Sequence, residues 1–221
     1  MITQNTLSFL KELRHNNNRD WFETNKSIFE KQQKETKAFF NEIGQELSKI
    51  DSIEKTKIFR IYRDVRFAKD KSPYKTNFGV TYSRTKPMLR GGYYLHIEPE
   101  GSFIAGGFWE PNKEDLLRIR KEIELDANEL SEIISTDEFK KYFGELTGEE
   151  VKTAPKGFDK NHPDIDLIKK KQYLVIRKFT DKEVLSPDFK TEVIVTFKAM
   201  HPYFNYMSAV LTTNLNGEPL Y

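Results

Sequence analysis

Between Phe59 and Trp109 the apolar residues recur at every second position, whereas on both sides of that block they recur at helical spacing. Strands bunched between helical blocks do not suit the β-α-β alternation of a parallel sheet, so the pattern predicts an α+β domain with a mainly antiparallel central sheet. Phe59, Ile61, Val65 and Phe67 share one face of a predicted strand over 58–67. Phe78, Val80 and Tyr82 alternate with Gly79, Thr81 and Ser83, and Tyr93, Leu95 and Ile97 alternate with Tyr94, His96 and Glu98. Pro99-Glu100-Gly101 reads as a hairpin turn into Ser102–Trp109, and the basic, glycine-containing connection 84–92 reads as an exposed loop. A short, nearly continuous apolar run at Tyr173–Phe179 (block 172–179) adds one more strand.

The flanking blocks are helical. Leu7, Phe9, Leu10 and Leu13 form one short amphipathic stripe, ended by His15-Asn16-Asn17-Asn18. Asn18 suits an N-cap, with Asp20 and Glu23 in the first turn of a second helix. Phe22, Phe29, Thr36, Ile43 and Ile50 then recur every seven residues, so the pattern runs to about residue 50, with a place for a break in the wholly polar stretch Lys31–Lys37. Further helical stripes fill 113–145 and 188–215, the last restarting at Pro202. One domain over residues 1–221 is expected, a central sheet flanked by N-terminal, middle and C-terminal helices. The 13% aromatic content supplies bulky core material that offsets a charged fraction of 32%. There is no cysteine, which removes disulfides, thiolate metal sites and cysteine nucleophiles. The N-terminal MITQNTLSF has no secretory pattern and no apolar run reaches the ~20 residues of a membrane helix, so the expected location is the cytoplasm, away from membranes.

Charge is distributed unevenly. Ten Lys or Arg stand against two Asp between Lys57 and Arg90, a window of +8 in a chain whose formal net charge is +2. Such asymmetry marks a place that receives an anion. Arg63 falls on the apolar face of the predicted strand, where a guanidinium needs a carboxylate or a bound anion. The functional reading is a pocket in which Arg60, Arg63, Arg66, Lys69, Asp70, Lys71 and Lys75 hold an anion and Tyr74 and Trp109 wall it. Arg supplies bidentate forks and Lys point charges, a combination suited to phosphate or carboxylate. Asp64 and His96 are the candidate acid–base groups. The leading expectation is binding, with or without turnover, of a small anionic, phosphorylated metabolite.

Two rivals stand beside it. One is a salt-bridge lattice in which the arginines pair with Asp64, Asp70 and helix acids. The other is a nucleic-acid module that uses Tyr62, Tyr74, Tyr82, Tyr93 and Tyr94 for stacking and Arg84, Lys86 and Arg90 for phosphates. It ranks below the small anion because the basic excess is local. No phosphate-loop, dinucleotide or nucleophile-elbow motif is present, no cofactor is indicated, and the four histidines show no metal-ligand spacing. His96, His162 and Asp164 are the one mixed metal set on offer, but His162-Pro163-Asp164 is more simply a turn entering a short helix.

Three pieces carry a resemblance: Asn16-Asn17-x-Arg19-Asp20-Trp21-Phe22, then Phe59-Arg60-x-x-Arg63-Asp64-x-Arg66-Phe67-x-x-Asp70-Lys71-Ser72-Pro73-Tyr74-Lys75-Thr76, and Gly106-Gly107-x-Trp109-x-Pro111. They resemble a widespread bacterial and fungal family of conserved hypothetical proteins carrying a domain of unknown function. The resemblance spans most of the chain and implies a single α+β domain. It implies no activity and supplies no catalytic residues. Relatives often carry a proline near Gln33–Thr36, which this chain lacks.

Overall fold

The computed structural model describes residues 1–221, and in it five strands pair antiparallel in chain order: β1 Ile53–Ile58, β2 Phe78–Arg84, β3 Gly92–Ile97, β4 Ser102–Phe108 and β5 Tyr173–Phe179. Alternation sorts their side chains onto two faces. Val80, Tyr82, Tyr93, Leu95, Ile97 and Ile104 are buried on one face. The other carries Lys57, Thr81, Tyr94, Ala105 and Ile176 in one cross-strand row, and Gly79, His96, Phe103 and Lys178 in the next.

The helices cover the first face. They are α1 Gln4–His15, α2 Arg19–Thr24, α3 Lys26–Leu47, α4 Lys113–Leu125, α5 Asn128–Ser135, α6 Asp137–Phe143, α7 Ile165–Ile168, α8 Asp181–Val184, α9 Phe189–Ala199 and α10 His201–Thr212. From α3, the Phe40 carbonyl accepts the Tyr82 hydroxyl at 2.7 Å. From α9 and α10, Phe197 and Phe204 pack on the Tyr93 ring at 4.8 and 5.0 Å. Gly106 makes this approach possible, and Gly107 lets the β5 backbone lie close against β4. A Cβ at Gly106 would lie 2.4 Å from Met200 Sδ, and Gly107 has φ +121° with the Tyr173 carbonyl 2.2 Å from where a Cβ would sit. No helix is long and apolar enough to cross a membrane.

Two expectations are corrected. The break in the N-terminal helical block falls at Asn25, not in Lys31–Lys37. Asn25 ends α2 by donating its amide Nδ2 to the Trp21 carbonyl at 2.9 Å. The polar stretch stays helical because Gln32 and Thr36 are buried, Gln32 against α1, where Thr6 donates its hydroxyl to Gln32 Oε1 at 2.9 Å. The larger correction is residues 58–67: the strand here is Ile53–Ile58, and 59–77 is a strap that leaves the sheet and returns to it. Its alternating apolar residues mimic a strand. Asp64 and Asp70, however, draw the backbone N–H groups of Arg66 (3.3 Å) and Ser72 (2.9 Å) onto their own carboxylates, and such turns compete with a ladder.

Candidate functional site

The two arms of the strap touch where the Arg63 N–H donates to the Pro73 carbonyl at 2.9 Å and the Lys75 N–H to the Ile61 carbonyl at 2.7 Å. The corner between α1 and α2 fastens them down. Asn17 acts as a peptide mimic: its Oδ1 accepts the Tyr74 N–H at 3.1 Å and its Nδ2 donates to the Tyr74 carbonyl at 3.0 Å. The Tyr74 ring stacks on Phe22 with centroids 3.9 Å apart and planes 12° from parallel. Tyr74 and Ile61 are thus buried, and the rest of the strap stands out from them.

The tip holds itself in shape. Asp70 accepts the Ser72 hydroxyl at 2.7 Å and pairs with Arg63. The Ser72 hydroxyl and amide, and then Arg63, hold its carboxyl well below the usual range. Asp64 is chelated by Arg66 through Nε at 3.0 Å and Nη2 at 2.7 Å, which likewise lowers its pKa. Lys71 Nζ donates to the Val65 carbonyl at 2.9 Å. Phe67 is left 96% exposed.

Between the strap, the C-terminal end of α1 and the end of β3 lies an open groove of about 520 Å³, lined by Arg14, Asn17, Arg63, Asp70, Ser72, Tyr74, Lys75, Thr76, Asn77 and Glu98. Glu98 organises one wall. It accepts Thr76 Oγ1 at 2.6 Å, Arg14 Nη2 at 3.3 Å and the ring of His96, whose Nε2 lies 2.9 Å away. The His96 bond, first among these, keeps the Glu98 carboxyl ionised below its ordinary pKa. His96 Nδ1 faces the Tyr94 hydroxyl at 2.9 Å and Asn77 Nδ2 at 3.3 Å, so both ring nitrogens are engaged. Burial, helped by Glu98, pushes the Tyr94 phenol up to about 12.

Lys75 differs from the other groove cations. Arg14 pairs with Glu98 and Glu100, and Arg63 with Asp70, but no carboxylate lies within ion-pair distance of Lys75. Burial first, then Arg60 and Lys57, push its ammonium pKa below the ordinary lysine value. Its Nζ and that of Lys57 sit 5.0 and 5.2 Å from the centroid of the Phe59 ring.

The structure therefore brings Arg63, Asp70, Tyr74 and Lys75 together, with Arg60 beside Lys75 and His96 behind the Glu98 wall. It does not bring in Asp64, Arg66, Lys69 or Lys71, which belong to the self-paired tip rather than the groove. Trp109 follows β4 into solvent, 62% exposed, and walls nothing. Tyr74 lines the groove while its ring is stacked on Phe22. Arg14, Asn17 and Glu98 were missed as site residues. The signals existed, since Asn17 lies in the first piece that carries the resemblance and Glu98 shares His96's face.

The far end of the basic window is also not what it looks like in sequence. Arg84 is 2% exposed, not part of a solvent loop, and all of its N–H groups are spoken for. Its Nε donates to Asp51 Oδ2 at 2.7 Å, and its two Nη groups reach Asp51, Asn205, Ser208 and the Arg90 carbonyl. The Tyr93 hydroxyl also donates to Asp51. Arg90 is paired with Asp115. Arg84 locks β2 to α10 and to the turn after α3, and Arg90 locks the loop before β3 to α4 and α10; neither is free for phosphates. Tyr82 and Tyr93 are buried as well, which removes them from any stacking surface.

A family model described as conserved hypothetical protein (DUF2461) matches residues 5–206. The chain belongs to the DUF2461 family. No curated protein and no solved structure matches it. The matched region of this DUF2461 chain runs from α1 into α10 and so contains the strap, the groove and the Arg84 lock. Of the three pieces that carry the resemblance, two are in contact, Asn17 and Phe22 of the first gripping Tyr74 of the second, while the third supplies Gly106 beneath Met200 and Phe204.

Proposed function

We propose that the DUF2461 groove binds a small anionic, phosphorylated metabolite, with the anionic group against Lys75 and Arg60. The observation that carries this is Lys75: a partly buried ammonium without a carboxylate, crowded by two further cations. Of the ten cations in the basic window, Arg63, Arg66, Arg84 and Arg90 are paired with carboxylates and the other six are not. An anion seated between Lys57, Arg60 and Lys75 relieves their mutual repulsion, which supplies affinity without new packing. On the groove side of Lys75, Asn17, Ser72, Thr76 and Asn77 offer neutral polar atoms, and Arg63 is already held at the rim by Asp70. Proton transfer to or from the ligand would fall to the His96–Glu98 pair, since Asp64 is tied up at the tip.

Thermal-shift measurements with phosphorylated metabolites test the reading. Stabilisation by one of them, lost in Lys75→Gln, supports it. A single pocket also predicts a shallow dependence on salt. A polymer binder contacting many phosphates would instead lose roughly 10³–10⁵ in affinity between about 50 and 200 mM salt. No stabilisation by any anion, together with steep salt-dependent binding to single-stranded DNA or RNA, would refute it.

A further inference from the structure

Resting on that reading, we propose that the anion is joined to a flat aromatic ring: the ligand is a nucleotide whose base lies on the helix-free face of the sheet next to Lys57 and Lys75. The helices α3 and α9 pack on the opposite face, and Phe59, Tyr94 and Phe103 here are only half-buried. Phe59, Tyr94 and Phe103 run as a chain across it, with centroids 6.1 Å apart for the first pair and 5.7 Å for the second. Gly79 makes the chain continuous. A Cβ there would stand 2.8 Å from the Tyr94 hydroxyl oxygen, so the missing side chain lets the Tyr94 ring cross β2 toward Phe59.

The cations sit at one end of this row. Lys57 and Lys75 flank the Phe59 ring and Arg60 follows it in the strap. A phosphate held by these three places whatever is attached to it beside Phe59 and Tyr94. Their ring planes stand 77° apart, so a flat group stacks on one of the two and meets the edge of the other. A sugar phosphate would leave the half-exposed aromatic carbon wet, whereas a base covers it by stacking and completes both halves of the surface. Charge agrees with this choice. The two carboxylates that line the groove with Lys75 are both engaged, Glu98 by His96, Thr76 and Arg14 and Asp70 by Arg63 and Ser72, which offsets their repulsion of a phosphate dianion. The same chemistry is offered by a free mononucleotide and by a nucleotide within a single strand.

Titration calorimetry of the full chain with AMP, UMP and ribose phosphate separates the ligand class from the anion reading beneath it. The expected result is that AMP binds roughly tenfold or more tighter than ribose phosphate, the size of one stacked base. In Phe59→Leu and Phe103→Leu the ratio of AMP to ribose phosphate affinity should fall toward one, while Lys75→Gln should weaken both ligands. Should the aromatic variants not fold, the wild-type comparison of AMP with ribose phosphate decides alone. Equal affinities would overturn the nucleotide inference and keep the small-anion proposal. No binding of any of the three, and none of a short oligothymidylate, would overturn both. Oligothymidylate binding that is tighter than AMP and steeply salt-dependent would support the nucleotide class but identify a strand as its source.

Discussion

Arg84 and Arg66 come from the same basic window and each grips an aspartate with two nitrogens, yet they occupy opposite electrostatic worlds. Arg84 and Asp51 have side chains 2% and 6% exposed; for Arg66 and Asp64 the figures are 77% and 50%. In the first case both charges have left water, and every hydrogen bond is a replacement for lost hydration. In the second, water does most of the solvating and the pair adds little to it. Residue type and pair geometry are therefore poor guides to energetic weight; burial decides. Arg84→Met should cost about 3–5 kcal/mol in urea denaturation, because Asp51 is left as an uncompensated buried charge. Adding Asp51→Leu should recover part of that loss. A double mutant no better than the single would show that the penalty lies in lost packing and not in the stranded charge.

The same buried cluster contains a group that acid can reach energetically. His201 Nε2 has no hydrogen-bond partner and lies 3.9 Å from Asp51 Oδ2, with the Tyr93 ring 6.4 Å away. Burial, and secondarily Arg84 and Lys198, lower its pKa below 6.5, although Asp51 pulls the other way. The folded state thus resists protonation that the unfolded chain accepts, so the unfolded chain binds more protons below that value. Stability from this group is fully present above pH 6.5 and declines as pH falls below it. His201→Gln should flatten that part of the stability–pH curve, which denaturation at a series of pH values would read. An unchanged slope would mean that Asp51 rescues the imidazolium and that the cluster is more polar than its burial suggests.

Between the two extremes lies Asn17, which ties the strap to α1–α2 through two partly buried hydrogen bonds. Asn17→Ala should cost about 1–2 kcal/mol, since a backbone N–H and a carbonyl of Tyr74 lose their partners together. Hydrogen exchange at the Tyr74 amide should accelerate with the loss of global stability and beyond it. Exchange that tracks global unfolding alone would show that the Phe22 stack, not Asn17, holds the strap.

The contrast also explains what could be read in the sequence. Strands β2 to β4 were legible because one face of each meets the core and the period shows through, and β5 because its apolar run is nearly continuous. β1 was not: Ile53–Ile58 is an edge strand, exposed at its four central residues, and its sequence IEKTKI has no buried face to impose a pattern. The strap was misread for the opposite reason, since Phe59, Ile61, Val65 and Phe67 alternate correctly while only Ile61 is buried. Among charges, the partners of Arg63 and Arg66 lie seven and two residues away, whereas Asp51 is 33 residues from Arg84 and Asp115 is 25 from Arg90. Short-range pairing is visible along a chain; the long-range kind needs the fold. The groove inherits the difficulty, as Arg14, Asn17 and Glu98 reach it from three separate elements.

The smallest effect expected is the most telling for the comparison. Arg66→Gln removes a guanidinium that makes two hydrogen bonds to Asp64 and one of the two aspartate-paired arginines of the strap. Surface pairs of this exposure contribute about 0–1 kcal/mol, and screening by salt lowers that further. The variant should therefore melt close to wild type, and the small difference should vanish as salt is raised. It should also leave binding of a small anion in the groove intact, because Arg66 does not line it. A loss of anion binding in Arg66→Gln at unchanged stability would mean that the tip folds over the groove when the ligand arrives. Arg66 would then have a functional weight that its exposure conceals, and burial would no longer rank the two arginines.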